Sequence, residues 1–256
     1  MRSTCEAVAT EAEYAVALAD DALVASQRLV EWVARAPQIE EDVAIGNIAL
    51  DLLGQARLLY QYAGSLTDPP RTEDDLAYFR DERAFRNVCL VERENGDFAV
   101  TMVRLLVLAA YQRELYDRLA RSVDPTLAAI AAKAVKEVAY HRDHARQWVL
   151  RLGDGTPESH RRTQTALEAE WPWVSELFDG GWLAPALVER GVAVAPASLE
   201  EPVLAFLREV LDEATLAEPD PRPAVTAGRE GRHTEALGHL LTELQHLARS
   251  HPGASW

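Results

Sequence analysis

The sequence predicts an all-α fold: a four-helix bundle with one long crossover and further helices after it. Three observations carry this. Apolar residues recur at the helical period of 3.6 over four long segments. The connections between those segments run short, long, short. Strand signals are almost absent, "GVAVAP" at 191–196 being the nearest run.

The first helix is expected over about Glu13–Ala34, where Leu18, Ala22, Ala25, Leu29 and Val33 form a stripe and Pro37 follows as a stop. The second, about Glu40–Ala63, is apolar over most of its circumference, which predicts a place inside the bundle, and Gly64 suits its end. The crossover contains Asp68-Pro69-Pro70 as punctuation and short helices near Glu73–Phe79 and Arg83–Val91. The third helix is expected over Asp97–Ala120 and the fourth over Pro125–Leu152, with Asp124 as cap and Pro125 in the first turn. Beyond them come helices near Thr163–Phe178, Ser198–Leu216 and Thr234–Arg249, with "AEPDPRPAVTAGREGRH" as a surface loop. One domain over 1–256 is expected, its bundle core at about 13–152 and a packed helical extension at about 160–256. One long crossover between two hairpins is the connectivity of a ferritin-like bundle.

Composition narrows the function. Lys plus Arg number 26 and Asp plus Glu 41, a net charge of −15, which argues against a nucleic-acid backbone binder. Cys5 and Cys89 make no disulfide framework and no CxxC site. Cys5 is expected exposed ahead of the first helix and Cys89 a small buried apolar residue. The opening stretch "MRSTCEAVATEAEYAVALADDALV" is interrupted by acids and is not expected to be a signal peptide, and no long apolar run is present, so a soluble cytoplasmic protein is expected. GxGxxG, Walker and GxSxG motifs are missing.

A ferritin-like bundle has a chemical test. A di-iron centre needs a Glu from each of two helices and Glu-x-x-His from each of the other two. The seven histidines stand at 141, 144, 160, 233, 239, 246 and 251, so the first three helices hold none. The second helix carries Asp51-Leu52-Leu53-Gly54 where Glu-x-x-His is required. The fourth offers Glu137 and His141 at i,i+4. Asp51, Glu114, Glu137 and His141 are thus the candidates for a degenerate metal site, and a di-iron oxygenase using them is the alternative function. Glu230–His233 and Glu243–His246 match the motif outside the bundle helices.

Asn47, Asp51 and Gln55 repeat at i,i+4 and predict a buried polar network. Lys136 is the first choice of partner for Asp51, with Lys133, Arg104 and Arg113 as others. A partner subunit facing this stripe is an equal reading. Trp171, Trp173 and Trp182 either anchor the extension or form an interface. Arg222, Arg229 and Arg232 could form a patch for a CoA phosphate.

The stretches "LADDALVASQRLVEW", "IGNIALDLLGQARLLYQYA", "FRDERAFRNVCLVERENGDFAVTMVR", "AIAAKAVKEVAYHRDHARQWVLRLGDGT", "WPWVSELFD" and "GREGRHTEALGHLLTELQHLARSHPGASW" resemble the C-subunit family of the bacterial phenylacetyl-CoA epoxidases, over about Leu18–Trp256. The resemblance implies a ferritin-like, non-catalytic structural subunit that binds no cofactor itself. It implies a catalytic A subunit holding the di-iron centre and the CoA substrate, a small bridging B subunit, and a reductase carrying FAD and an iron–sulfur centre. The complex so implied uses oxygen and NADPH to form the ring 1,2-epoxide of phenylacetyl-CoA. No nucleic acid or membrane is implied as a partner.

Overall fold

The computed structural model describes residues 10–220 and 222–254. The element order begins with α1 (Glu11–Val30) and α2 (Ile39–Ser65), which pair as one hairpin. The crossover carries α3 (Glu73–Tyr78), a 3-10 turn at Glu82–Ala84 and α4 (Cys89–Glu92). Then α5 (Phe98–Leu119) and α6 (Pro125–Gly153) form the second hairpin. The extension follows as α7 (Pro157–Glu170), a 3-10 segment at Trp171–Phe178, α8 (Pro185–Glu189), α9 (Glu200–Glu213) and α10 (Glu235–Ser250). Among the described residues the only β feature is an isolated bridge between Ala227 and Arg232. The all-α expectation and the two-hairpin bundle with C-terminal helices are therefore met.

Local chemistry sets the helix starts. The Thr10 hydroxyl accepts from the Glu13 amide while the Glu13 carboxylate accepts from the Thr10 amide, a reciprocal cap. Asp124 accepts from the amides of Thr126 and Leu127, and Pro125 opens α6. Thr156 caps α7 and Pro157 opens it, so that helix begins six residues before the Thr163 start read from apolar periodicity. The cap, not the stripe, fixes this boundary. Gly64 does not end α2 but lies in its last turn. A Cβ there would come within 1.9 Å of the Arg71 carbonyl, so the crossover's return against α2 requires glycine.

The most enclosed helix is α5, whose residues 101–112 are all buried, with α6 beside it in the bundle and α7 and α9 packed against it. This corrects the expectation for α2. Its Ile45, Ile48, Leu52, Ala56 and Leu59 are core, yet Ile39, Val43, Leu50 and Leu53 face outward and are exposed. A helix apolar all round has one face inside this chain and one outside it. The extension is not a surface appendage. Phe178 meets Tyr111 of α5 edge to face at 6.3 Å, and Leu199, Val203 and Leu207 join the common core. The proline-rich loop also departs from expectation, because its last third, with Gly228 and Arg229, runs into the interior.

Candidate functional site

The polar stripe of α2 meets α6 as a seam of side-chain pairs. Gln55 is buried and its amide donates to Glu137 Oε2 at 3.0 Å, while Lys133 approaches Glu137 Oε1 at 3.3 Å. One turn on, His141 lies 3.1 Å from Asp51, Nε2 to Oδ2. A carboxylate is an acceptor, so Nε2 carries the proton and Nδ1 is left a buried acceptor with no partner in the chain. Further along, His144 and Glu41 approach to 3.1 Å without hydrogen-bond alignment. Burial lowers the pKa of His141 and of His144, and the neighbouring carboxylates Asp51 and Glu41 only partly oppose it.

The expected network is corrected in its membership. Asp51 pairs with His141, not with Lys136, which is exposed. Asn47 is exposed as well and takes no part. The reserve cations are engaged elsewhere: Lys133 with Glu137, Arg113 with Asp117, and Arg104 with Glu170. The reason is geometric. An interhelical contact between antiparallel helices selects the residues that point across the seam, and His141 does so where Lys136 points to solvent. The Asp51 side chain keeps 38% of its exposure, so it is only half withdrawn from water.

The donor set does not fit a pair of metal ions. Such a centre needs carboxylates from all four bundle helices. Both carboxylates of α5 are turned to neighbouring arginines, Glu114 to Arg118 at 3.8 Å and Asp117 to Arg121 at 2.7 Å. Of the metal candidates, Asp51, Glu137 and His141 share the seam, and Glu114 does not join them. On α1, Glu11 pairs with Arg190, Glu13 caps its own helix, and Asp20 and Asp21 are bound by guanidinium groups. No group of three or more His, Cys, Asp or Glu able to hold a metal occurs among the described residues.

Those α1 aspartates belong to a second polar system that sequence reading did not find. Asp20 is held by Arg80, by the Tyr60 hydroxyl and by the Arg86 amide. Asp21 takes Arg229 at 2.6 Å and the Val88 amide at 2.8 Å. Burial pushes the Asp21 carboxyl up, and Arg229 and Val88 only partly offset this. Glu170 accepts from Arg104 at 2.9 Å and Arg93 at 3.0 Å. Glu92 accepts from His233 Nδ1 at 2.7 Å and from Asn87 at 2.8 Å, so His233 pairs with the crossover and not with Glu230. The available signal was a doubled aspartate inside the apolar run of α1, since buried charges require partners.

The tryptophans are used internally. Trp171 is buried, Trp173 lies under Arg93 at 4.5 Å, and Trp182 stacks on Tyr14 at 6.1 Å with Arg229 at 4.8 Å. Arg229 is thus unavailable to a phosphate, Arg222 pairs with Asp220, and Arg232 pairs with Glu230. Cys89 is buried, its thiol pushed up to about 12 by burial, while Cys5 lies outside the described residues.

Fold and seam together define a ferritin-like helix bundle in which side chains of α2 and α6 pair with each other across the seam. The chain belongs to the family described as phenylacetic acid catabolic protein, which matches residues 2–256. It is 46% identical over 243 residues to the C subunit of the 1,2-phenylacetyl-CoA epoxidase of Escherichia coli (strain K12), covering 95% of this chain and 98% of that protein. No helix among the described residues is long and apolar enough to cross a membrane.

Proposed function

We propose that this chain is the non-catalytic structural subunit of a multicomponent phenylacetyl-CoA epoxidase in aerobic phenylacetate degradation. The observation that carries the reading is the likeness to the C subunit of such an epoxidase along nearly the full length of both chains. The engaged carboxylates of α1 and α5 support it, because they leave no donor set for an iron pair. The protein pairs with a catalytic A subunit that holds the di-iron centre and the CoA substrate, and stabilises it. A small B subunit joins the assembly, and a reductase with FAD and an iron–sulfur centre docks transiently. The complex forms 1,2-epoxyphenylacetyl-CoA with NADPH, in the cytoplasm. A catalytic bundle needs its ligand helices held to within about 0.5 Å, and a second bundle packed against it supplies that support.

The test combines the purified A subunit with and without this protein and measures iron content, solubility and epoxidation. A gain in all three on adding this chain is expected, with well below one iron per copy of this chain itself. An A subunit equally soluble, loaded and active alone would refute the supporting role. Stoichiometric iron in this chain, lost on Glu137→Ala, would favour the di-iron alternative.

A further inference from the structure

Between α1, α5 and the crossover lies a cavity that belongs neither to the seam nor to the buried ion pairs. Ala25 and Leu29 of α1, Val91 of α4, and Leu105 and Leu108 of α5 form its apolar walls. All five are buried. The walls leave about 20 Å³ open to the centre of a water-sized sphere. One such sphere needs roughly 10–15 Å³, so the space holds one small molecule.

Four polar side chains complete the lining: Arg28, Asn95, Thr101 and Arg104. Each is turned to partners in the chain. Arg28 donates to Glu31 and to the carbonyls of Glu92 and Ala236. Arg104 donates to Glu170 and to the carbonyls of Arg93 and Glu94. The Asn95 amide donates to the Arg28 carbonyl and to Glu31. The Thr101 hydroxyl accepts from the Trp32 indole at 2.9 Å and donates to the Asn95 carbonyl at 3.4 Å. None of the four keeps a buried side-chain polar atom without a partner.

A buried water needs about three hydrogen bonds. This cavity has no free group to supply them, so a water inside it would give up its bonds for nothing. An apolar guest gives up none and gains dispersion contacts with the aliphatic walls. The cavity is therefore dry and selects a small, uncharged, apolar molecule. Its size admits a diatomic gas and not an aromatic ring.

A way in adjoins it. At the C-terminal end of α1 an open cleft of about 900 Å³, on the same measure, has Trp32, Gly96 and Leu240 in its walls. Arg28 and Asn95 line both the cleft and the cavity, and so form the partition between solvent and the apolar space.

We propose that this cavity is a binding site for dioxygen, entered from the cleft past Arg28 and Asn95. The choice of dioxygen among small gases rests on the proposed role in an oxygen-consuming epoxidase; the dry cavity itself does not.

The test uses this chain alone. Crystals held under xenon should show one xenon atom against Ala25, Leu29 and Leu108, and crystals without xenon should show no water there. In solution, dissolved dioxygen is paramagnetic. It should speed the relaxation of the Val91, Leu105 and Leu108 methyl groups several-fold more than that of the Leu59 methyls, which are buried on α2 away from the cavity. Ala25→Val narrows the space and should lower that excess, and Leu108→Ala widens it and should raise xenon occupancy. An ordered water in the cavity, an absence of xenon, or methyl relaxation no faster than at Leu59 would each overturn the inference on wild-type protein, whether or not the variants fold. A chain that takes up both gases and adds nothing to an A subunit would sustain the site and overturn the proposed function. A chain that supports an A subunit and takes up neither gas would overturn the site alone.

Discussion

Replacing Arg229 by alanine should be among the most destabilising single changes in this protein. Arg229 comes from the C-terminal loop and ends beside α1, both it and Asp21 being buried. Its guanidinium donates to Asp21 Oδ2 at 2.6 Å and Oδ1 at 3.1 Å, to the Ala17 carbonyl at 2.9 Å and to the Arg86 carbonyl at 2.7 Å. Truncation removes the counter-charge of a buried carboxylate and the donor of two carbonyls. Breaking a buried pair in this way costs about 3–5 kcal/mol. In a chain of this size that is a fall in Tm on the order of 6–20 °C. Denaturant unfolding should show a lower midpoint with an unchanged slope.

The pH dependence identifies the cause. Without Arg229, the Asp21 carboxyl is raised further above its unfolded value. A raised carboxyl binds its proton more tightly in the folded state, so stability falls as pH rises through that interval and recovers as pH drops. The deficit of Arg229→Ala should therefore shrink toward acid. Pairing Arg229→Met with Asp21→Asn should recover part of the loss at neutral pH, because no lone charge stays buried. A single variant that melts within about 1 kcal/mol of wild type, or a deficit that does not change with pH, would refute the argument.

Two further outcomes follow from the seam and the crossover. Asp51→Ala should cost about 1 kcal/mol or less in thermal melts, since Asp51 is half exposed and its partner His141 is neutral; a loss of several kcal/mol would mean a tighter network than the geometry shows. His233 differs from His141 and His144. Burial lowers its pKa, but Glu92 and the Phe85 carbonyl, one acceptor at each ring nitrogen, raise it by more. Its stabilisation is complete below the unfolded value of about 6.5 and is lost as pH rises through the folded value, whereas buried neutral His141 and His144 weaken the fold as pH drops below about 6.5. His233→Gln should therefore cost most on the acid side of neutrality and His141→Gln least there, as read from denaturation midpoints across pH.

How much of this was legible in the sequence depends on the range of the interaction. Caps and stripes are local, so α5 and α6 start and stop within a residue or two of expectation. The absence of histidine before 141 and the Asp51–Gly54 stretch already denied α2 a Glu-x-x-His pair, because ligand chemistry is fixed by residue type. Pairing was not legible. Asp51 meets His141 and not Lys136 because of interhelical register, which no single helix encodes. The α1 aspartates meet Arg80 and Arg229, 60 and 208 positions away, through contacts that exist only once the crossover and the extension have packed. The outward face of α2 was missed for a related reason: hydropathy shows that a face is apolar and does not show which body covers it.

Those long-range pairs hold the buried carboxylates of this bundle without an ion. In a di-iron protein the inward carboxylates are held by the ions that they bind. Here α1 turns Asp20 and Asp21 to two arginines, one from the crossover and one from the C-terminal loop, and the Glu170 of α7 receives Arg104 of α5 and Arg93 of the crossover. The guanidinium groups of Arg80 and Arg229 each fix their segment to α1, and that of Arg104 fixes α5 to α7, through several donors at once, which a compact ammonium could not do from the same position. The segments outside the four bundle helices are thereby fastened to them by charge as well as by apolar burial. The same contacts oppose metal binding at α1, since an ion there would require both arginines to leave, and each departing guanidinium would abandon backbone carbonyls as well as a carboxylate. Support of the bundle and absence of a donor set are two results of one arrangement.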